Sequence, residues 1–326
     1  MTARGYAHLE TLVLSACAIG LVALTWTVDV SALMSLSVFV ILGILALSVS
    51  FAWGVAGIFS FGQSVFFGIG AYTYAVVTVN AGDSTFGIAT AIVASGFTAV
   101  ILGYFMLYGR ISDIYLAVIT LTLSLLIFQF VNTLSGDSAQ FGEANVGGFN
   151  GMPGVPPINV PGLPDKALGI AGMYLLSVFA LIAAYGGLRF VLTTAFGQTV
   201  VAIRENELRA ELLGYDSRVY KLAVFTAAAV LASISGVLFA AWGSFIEPGV
   251  FSIGFAGQII IWAMVGGIST LIGPVVGCFI IQGLTTWLGT AGLVDTNLVL
   301  GAIFILFVLL VPSGLIPTLR RLVVTE

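Results

Sequence analysis

The chain predicts an all-α, polytopic membrane helix bundle, and three observations carry that expectation. Only 7% of its 326 residues are charged, against about a quarter in a soluble domain. Its mean hydropathy is +1.16. No Asp, Glu, Lys or Arg occurs between Asp29 and Asp83, or from Pro248 to Val294. So little charge cannot coat a globule in water. A bilayer favours such a chain, because an ionised side chain at mid-membrane costs about 2.5–3.5 kcal/mol on insertion scales.

Charges and turn residues divide the chain into about ten spans. The first covers 11–28, long enough to cross at about 1.5 Å per residue. It reads as a span and not as a cleaved leader, because no small-residue cleavage site with a polar start follows it. Spans two to five cover 33–53, 63–80, 86–108 and 111–134. An outer segment of 135–166 then holds five of the nine prolines. Span six covers 167–190, and a charged segment of 193–221 follows. Spans seven to ten cover 222–243, 252–267, 271–290 and 296–314. No charge marks the turns between two and three or between eight and nine. Residues 1–326 thus read as one membrane domain.

Lys and Arg set the expected orientation. With both termini in the cytoplasm, Arg4, Arg110, Arg189, Arg204, Arg209, Arg218, Lys221, Arg320 and Arg321 all fall inside. Only Lys166 falls outside, and this bias also requires an even number of spans.

Two segments place a Gly-Gln pair before an apolar run that ends in glycines. One is Gly62-Gln63 with Gly68 and Gly70; the other is Gly257-Gln258 with Gly266. They lie five spans apart and would run in opposite directions, as a five-plus-five inverted repeat requires. In that reading these seven residues flank a translocation pathway. Glycines at such places also serve simply to let helices approach closely. Gln63 and Gln258 each need a partner for a carboxamide in an apolar stretch, whether backbone, water or solute. No fixed charge falls mid-span, which argues against proton coupling and suits a neutral or zwitterionic solute.

The segment from Gly197 to Asp216 reads as a short cytoplasmic helix with Val201, Leu208 and Leu212 on one face. Glu205 and Arg209 form an i,i+4 pair, and Gly214 stops the helix. It is either a solvated loop helix or a docking helix for a cytoplasmic partner. Lys166 and Lys221 follow Asp165 and Tyr220, so the G-x-x-x-x-G-K-[ST] phosphate loop is absent. Any ATP must therefore be hydrolysed by another chain. His8, Cys17 and Cys278 are too few and too scattered for a conventional metal site, so no metal or cofactor is expected. No nucleophile–base pair suggests an enzyme.

Three stretches carry a family resemblance. Phe61 to Tyr72, Gly147 to Gly154, and Ala202 to Tyr215 resemble motifs of the LIV-type branched-chain amino-acid ABC transporter permeases, a family that includes urea and short-amide permeases. The match samples the chain from about residue 40 onward. The third stretch is the most specific. The resemblance implies a permease half that works with a second related permease, two cytoplasmic ABC ATPases and an extracytoplasmic solute-binding protein, in a prokaryotic inner membrane. It implies ATPase coupling through Arg204, Glu205, Asn206, Glu207, Arg209, Ala210 and Gly214. It also implies an outer gate or binding-protein docking surface at Gly148, Asn150 and Gly151. The coupling pattern E-A-A-x-x-x-G is met only in part, with Leu208 where Glu is expected and Glu207 one residue early. Branched-chain or related amino acids are the expected solute. A urea or short-amide permease is the alternative, and an autonomous channel or secondary carrier is the alternative from another class.

Overall fold

The computed structural model describes residues 19–134, 139–160, 163–291, and positions 299, 301, 302, 305, 307 and 314–318. Helix α1 is seen over 19–27. The start of the expected first span, and most of the expected 296–314 span, lie outside the described residues. Helix α2, Val30–Val49, runs straight into a π-helical turn, Ser50–Val55. Then come α3 (Gln63–Ala81), α4 (Ser84–Tyr108), α5 (Asp113–Thr133) and α6 (Ile170–Thr193). The charged segment of 193–221 forms α7 (Ala195–Glu205) and α8 (Glu207–Leu212). Helices α9 (Ser217–Gly243), α10 (Ile253–Gly266) and α11 (Gly273–Ala291) complete the described bundle. Six of the described helices are long and apolar enough to cross a membrane, starting at Val30, Gln63, Ser84, Asp113, Ile170 and Ser217.

The packing logic is that of lipid. Small residues line the close helix contacts, because burial against hydrocarbon gives large side chains little reason to turn inward. Helix α4 shows it most plainly. Between Ser84 and Met106 at its buried ends, Gly87, Ala91, Ser95, Ala99 and Gly103 recur four residues apart on the buried face, while Phe86, Val93, Phe97 and Phe105 are exposed. This small-residue stripe meets α3 and α9. A Cβ on Gly87 would strike Thr78, and one on Gly103 would strike Leu222 and Phe225. Serines close the remaining polar gaps by donating to backbone carbonyls of neighbouring helices, Ser233 to Ala91 at 3.1 Å and Ser235 to Ile41 at 2.6 Å.

The outer segment corrects a purely α expectation. It is folded, with β1 (Gln140–Phe141) paired to β2 (Ala144–Asn145) and β4 (Asn159–Val160) to β5 (Leu163–Ala167). Strand β3 (Met152–Pro153) pairs with β6 (Phe245–Ile246), which follows α9. Two-residue ladders leave no period in a sequence, so the signal was out of reach. Side chains of the bundle tie the segment down. Asn80 donates to the Phe141 carbonyl at 2.8 Å and accepts from the Glu143 amide at 2.8 Å. Tyr74 donates to the Pro156 carbonyl at 2.9 Å. Asn159 accepts from both the amide and the hydroxyl of Ser84. Asp83 caps α4 by accepting from the Thr85 amide at 2.8 Å, and that bond holds its carboxyl below the usual range.

Helix α10 has only 14 residues, so it is about 21 Å long, short of a hydrocarbon core of about 30 Å. The expected span 252–267 is thus not a full helical crossing. The chain before it supplies the missing depth. After β6, a short 3₁₀ turn, Pro248–Phe251, brings Phe251 down between α3 and α5. There its ring fills the space beside Gly68, and its carbonyl accepts from Ser124, near the middle of α5, at 2.8 Å.

The α4 stripe yields a direct test. Ala99→Leu is expected to destabilise the purified protein by about 1–3 kcal/mol through overpacking, whereas Phe97→Leu on the exposed face leaves stability nearly unchanged. Thermal unfolding in detergent distinguishes the two.

Candidate functional site

The structure brings the two Gly-Gln segments together. Both α3 and α10 begin inside the bundle after non-helical chain, and the rings of Phe67 and Phe255 meet at 5.3 Å. At the start of α3, the Gly62 amide donates to Ser60 at 2.9 Å and the Phe61 amide to Thr120 at 3.1 Å. Gln63 is 2% exposed. Its Oε1 accepts from Ser48 at 3.3 Å, and its Nε2 has no partner among the described residues. Ser64 and Ser124 share a hydrogen bond of 3.0 Å beside it. Gly68 and Gly70 lie deeper in contact. A Cβ on Gly68 would enter the Phe251 ring, and one on Gly70 would meet the Ser233 backbone. Close packing is sufficient reason for glycine at both.

Helix α10 is different. Ile253, Gly254, Gly257, Gln258, Ile261 and Met264 recur at helical spacing on one open or half-open face. Among the described residues, nothing beyond the local helix lies within 4 Å of where a Gly257 Cβ would stand. Gln258 Nε2 donates to Gln282 Oε1 of α11 at 3.2 Å. Gln282 was not singled out by sequence reasoning. Its only signal was a carboxamide in an apolar run, and nothing in sequence pairs positions on separate helices. Gly266 has a packing role, because it lets α10 cross α11 against Gly273 and Gly277.

The coupling segment is two helices, not the single one expected. Asn206, extended at φ −157° and ψ 97°, ends α7 and caps α8 by accepting from the Arg209 amide at 2.9 Å. The break separates Glu205 from Arg209, so their expected i,i+4 pairing has no continuous helix to stand on. It also takes Val201 off the face that Leu208 and Leu212 were expected to share with it. Val200, Ile203 and Ala210 are buried, while Leu208, Leu212 and Leu213 are strongly exposed. Tyr215 donates its amide to the Ala210 carbonyl at 3.2 Å, and Gly214 turns the chain at φ +92°. Glu207 binds α8 to α9 by accepting from Lys221 at 2.7 Å, and Glu211 accepts from Ser217 at 2.7 Å. Partial burial raises the Glu207 carboxyl, but hydrogen bonding and charge from Lys221 outweigh it, so the net shift is downward. Its stabilising share is therefore present above the ordinary carboxylate range and is lost as pH falls through the lowered value.

On the outer side, Gly147, Gly148 and Gly151 all have positive φ. Gly148 lies against the Leu134 carbonyl, and Gly151 against that of Ile246. Gly147 and Gly151, with Glu143, Asn145 and Asn150, line a cleft of about 530 Å³, and Gly148 is not part of its wall.

A bundle with six described helices long and apolar enough to cross a membrane is the architecture of a multi-pass membrane protein. The chain belongs to the family described as branched-chain amino acid transport system / permease component, whose pattern it matches over residues 31–311. It is similar to the high-affinity branched-chain amino acid transport system permease protein LivM of Escherichia coli K12. Identity is 24% over 321 residues, covering 90% of this chain and 71% of that protein. The LivM of Salmonella typhimurium LT2 is 23% identical over 304 residues, covering 85% and 68%. No solved structure gives a significant match. The chain is accordingly a multi-pass inner-membrane protein of a transport family.

Replacing Gly68 by Leu is expected to lower the yield of folded protein, because the added atoms collide with Phe251. Size-exclusion profiles of detergent extracts check this.

Proposed function

We propose that this chain is one permease half of an ATP-driven importer for branched-chain or chemically related amino acids. It works with a second related permease, two cytoplasmic ABC ATPases and an extracytoplasmic binding protein. The observation that carries the reading is the family match over residues 31–311, joined to a lever shaped for docking. Leu208, Leu212 and Leu213 project from α8, which is held rigid by the Asn206 cap and the Glu207–Lys221 pair. Such an apolar tip fits a groove on a partner. Arg204, Glu205 and Arg209 supply charge around it, and Ala210 and Gly214 set its shape. The proposed topology is ten spans with both termini cytoplasmic, and the paired starts of α3 and α10 support a five-plus-five inverted repeat. The domain is taken as 1–326.

Transport proceeds by alternating access as the ATPases close and move α7 and α8. The solute passes along the open face of α10, at Gly257 and Gln258, with Gln282 beside them. Gly62 and Gln63 lie behind that face as a polar node, and Gly68, Gly70 and Gly266 keep the surrounding helices close. A carboxamide pair on a membrane-embedded face needs polar company, and a zwitterionic solute provides it. The cleft at Asn150 and Gly151, with Gly148 beside it in the chain, forms the outer gate and receives the binding protein.

Reconstituted alone, the chain is expected to give no solute flux. With its partner permease, the ATPases and the binding protein, flux appears and requires ATP. Leu212→Asp is expected to abolish copurification of the ATPases while leaving the membrane protein level unchanged. Robust flux from the chain alone would establish a channel or carrier instead.

Gln282→Ala is expected to raise the apparent KM of the assembled importer by about tenfold, the worth of a hydrogen bond or two, without loss of copurifying subunits. Loss of the partner permease instead would place the carboxamide pair at a subunit interface.

A further inference from the structure

The π-helical turn Ser50–Val55 and the two residues after it touch both α7 and the α10–α11 turn. At one end, Gly57 adopts φ +74°, and a Cβ there would stand 3.3 Å from Cγ of Arg204 at the end of α7. The Arg204 stem therefore lies directly on this glycine. At the other end, Gly54 approaches the Ile268 carbonyl so closely that a Cβ would collide with it. Ser50 Oγ donates to the Thr270 carbonyl at 3.2 Å. Ile268 and Thr270 belong to the turn that joins α10 to α11.

The piece between these contacts is irregular but internally bonded. The Gly57 amide donates to Trp53 at 3.1 Å, and that of Ile58 to Ala52 at 2.9 Å. The Trp53 and Phe59 rings pack at 4.5 Å. Phe51 and Ala52 are buried. A wide turn of this kind, here at the end of α2, is rare and is found mostly at functional sites. On the α10–α11 side Gly54 meets the Ile268 backbone directly, so a displacement of this piece is passed to that turn; on the α7 side the contact is the aliphatic stem of Arg204 against the Gly57 backbone.

We infer that Ser50, Gly54 and Gly57 form the mechanical relay through which Arg204 of α7 shifts the α10–α11 turn, and with it the open face of α10. The relay rests on the importer reading above and adds the route by which the lever reaches the pathway. The three residues are positioning residues; they act on α10 and do not touch solute.

The test uses the complete importer in proteoliposomes, measuring solute uptake and ATP hydrolysis together. Gly54→Ala is expected to lower solute moved per ATP about tenfold, within the range of inter-site coupling. Ser50→Ala, which adds no atom, is expected to lower it about threefold, the loss of one hydrogen bond. Subunit assembly and ATP hydrolysis stay near wild type in both. Gly103→Ala, a packing insult at the α4–α9 contact, lowers yield but leaves the ratio unchanged. A wild-type ratio in Ser50→Ala overturns the relay, as does a Gly54→Ala protein that loses only yield. Should Gly54→Ala fail to assemble, Ser50→Ala decides alone. A wild-type complex without ATP-dependent uptake overturns the importer reading, and the relay with it.

Discussion

Lipid offers no hydrogen bonds, so every backbone group that leaves helical geometry inside the bundle has to find its partner in the protein. That constraint governs this structure. The chain interrupts its helices before α3, before α10, and between α10 and α11. At each place a hydroxyl stands in for the missing helix. Thr120 accepts from Phe61, Ser60 from Gly62, Ser124 donates to Phe251, and Ser50 to Thr270. These short side chains satisfy the backbone without adding charge. They also bind the irregular segments to neighbouring helices, and so place the breaks where the helices meet.

The small-residue stripes serve the same end by another route. Where Gly70 faces Ser233 and Gly236 faces the Phe67 carbonyl, backbones come close enough for serine hydroxyls to reach across. Dispersion over that close contact replaces the hydrophobic effect, which has little to offer between helices already in hydrocarbon. The open face of α10 breaks this pattern. Among the described residues it has no close neighbour at Gly257, and it holds the Gln258–Gln282 pair.

Much of the bundle was legible in the sequence. Expected spans at 63–80, 86–108 and 111–134 coincide with α3, α4 and α5 to within about two residues, because charge is excluded from the crossing and concentrates at its ends. The family resemblance, read from the stretches at Phe61, Gly147 and Ala202, was borne out over most of the chain. The charged segment of 193–221 was misdrawn as one helix. Asn206 is a good capping residue, yet its flanks on both sides favour helix, and only the observed backbone shows the break.

The sequence alone determined that this is a membrane bundle, where long helices such as α3, α4 and α5 run and which family it resembles, since those follow from composition, charge placement and local motif. Tertiary structure decided which glycines are packing contacts and which stand open, that α10 has only 14 residues and follows a 3₁₀ turn, and that Gln282 meets Gln258. The reason is physical. Hydropathy is a property of each residue against its solvent, whereas a close approach between two helices depends on their rotation and depth, which no single stretch of chain encodes.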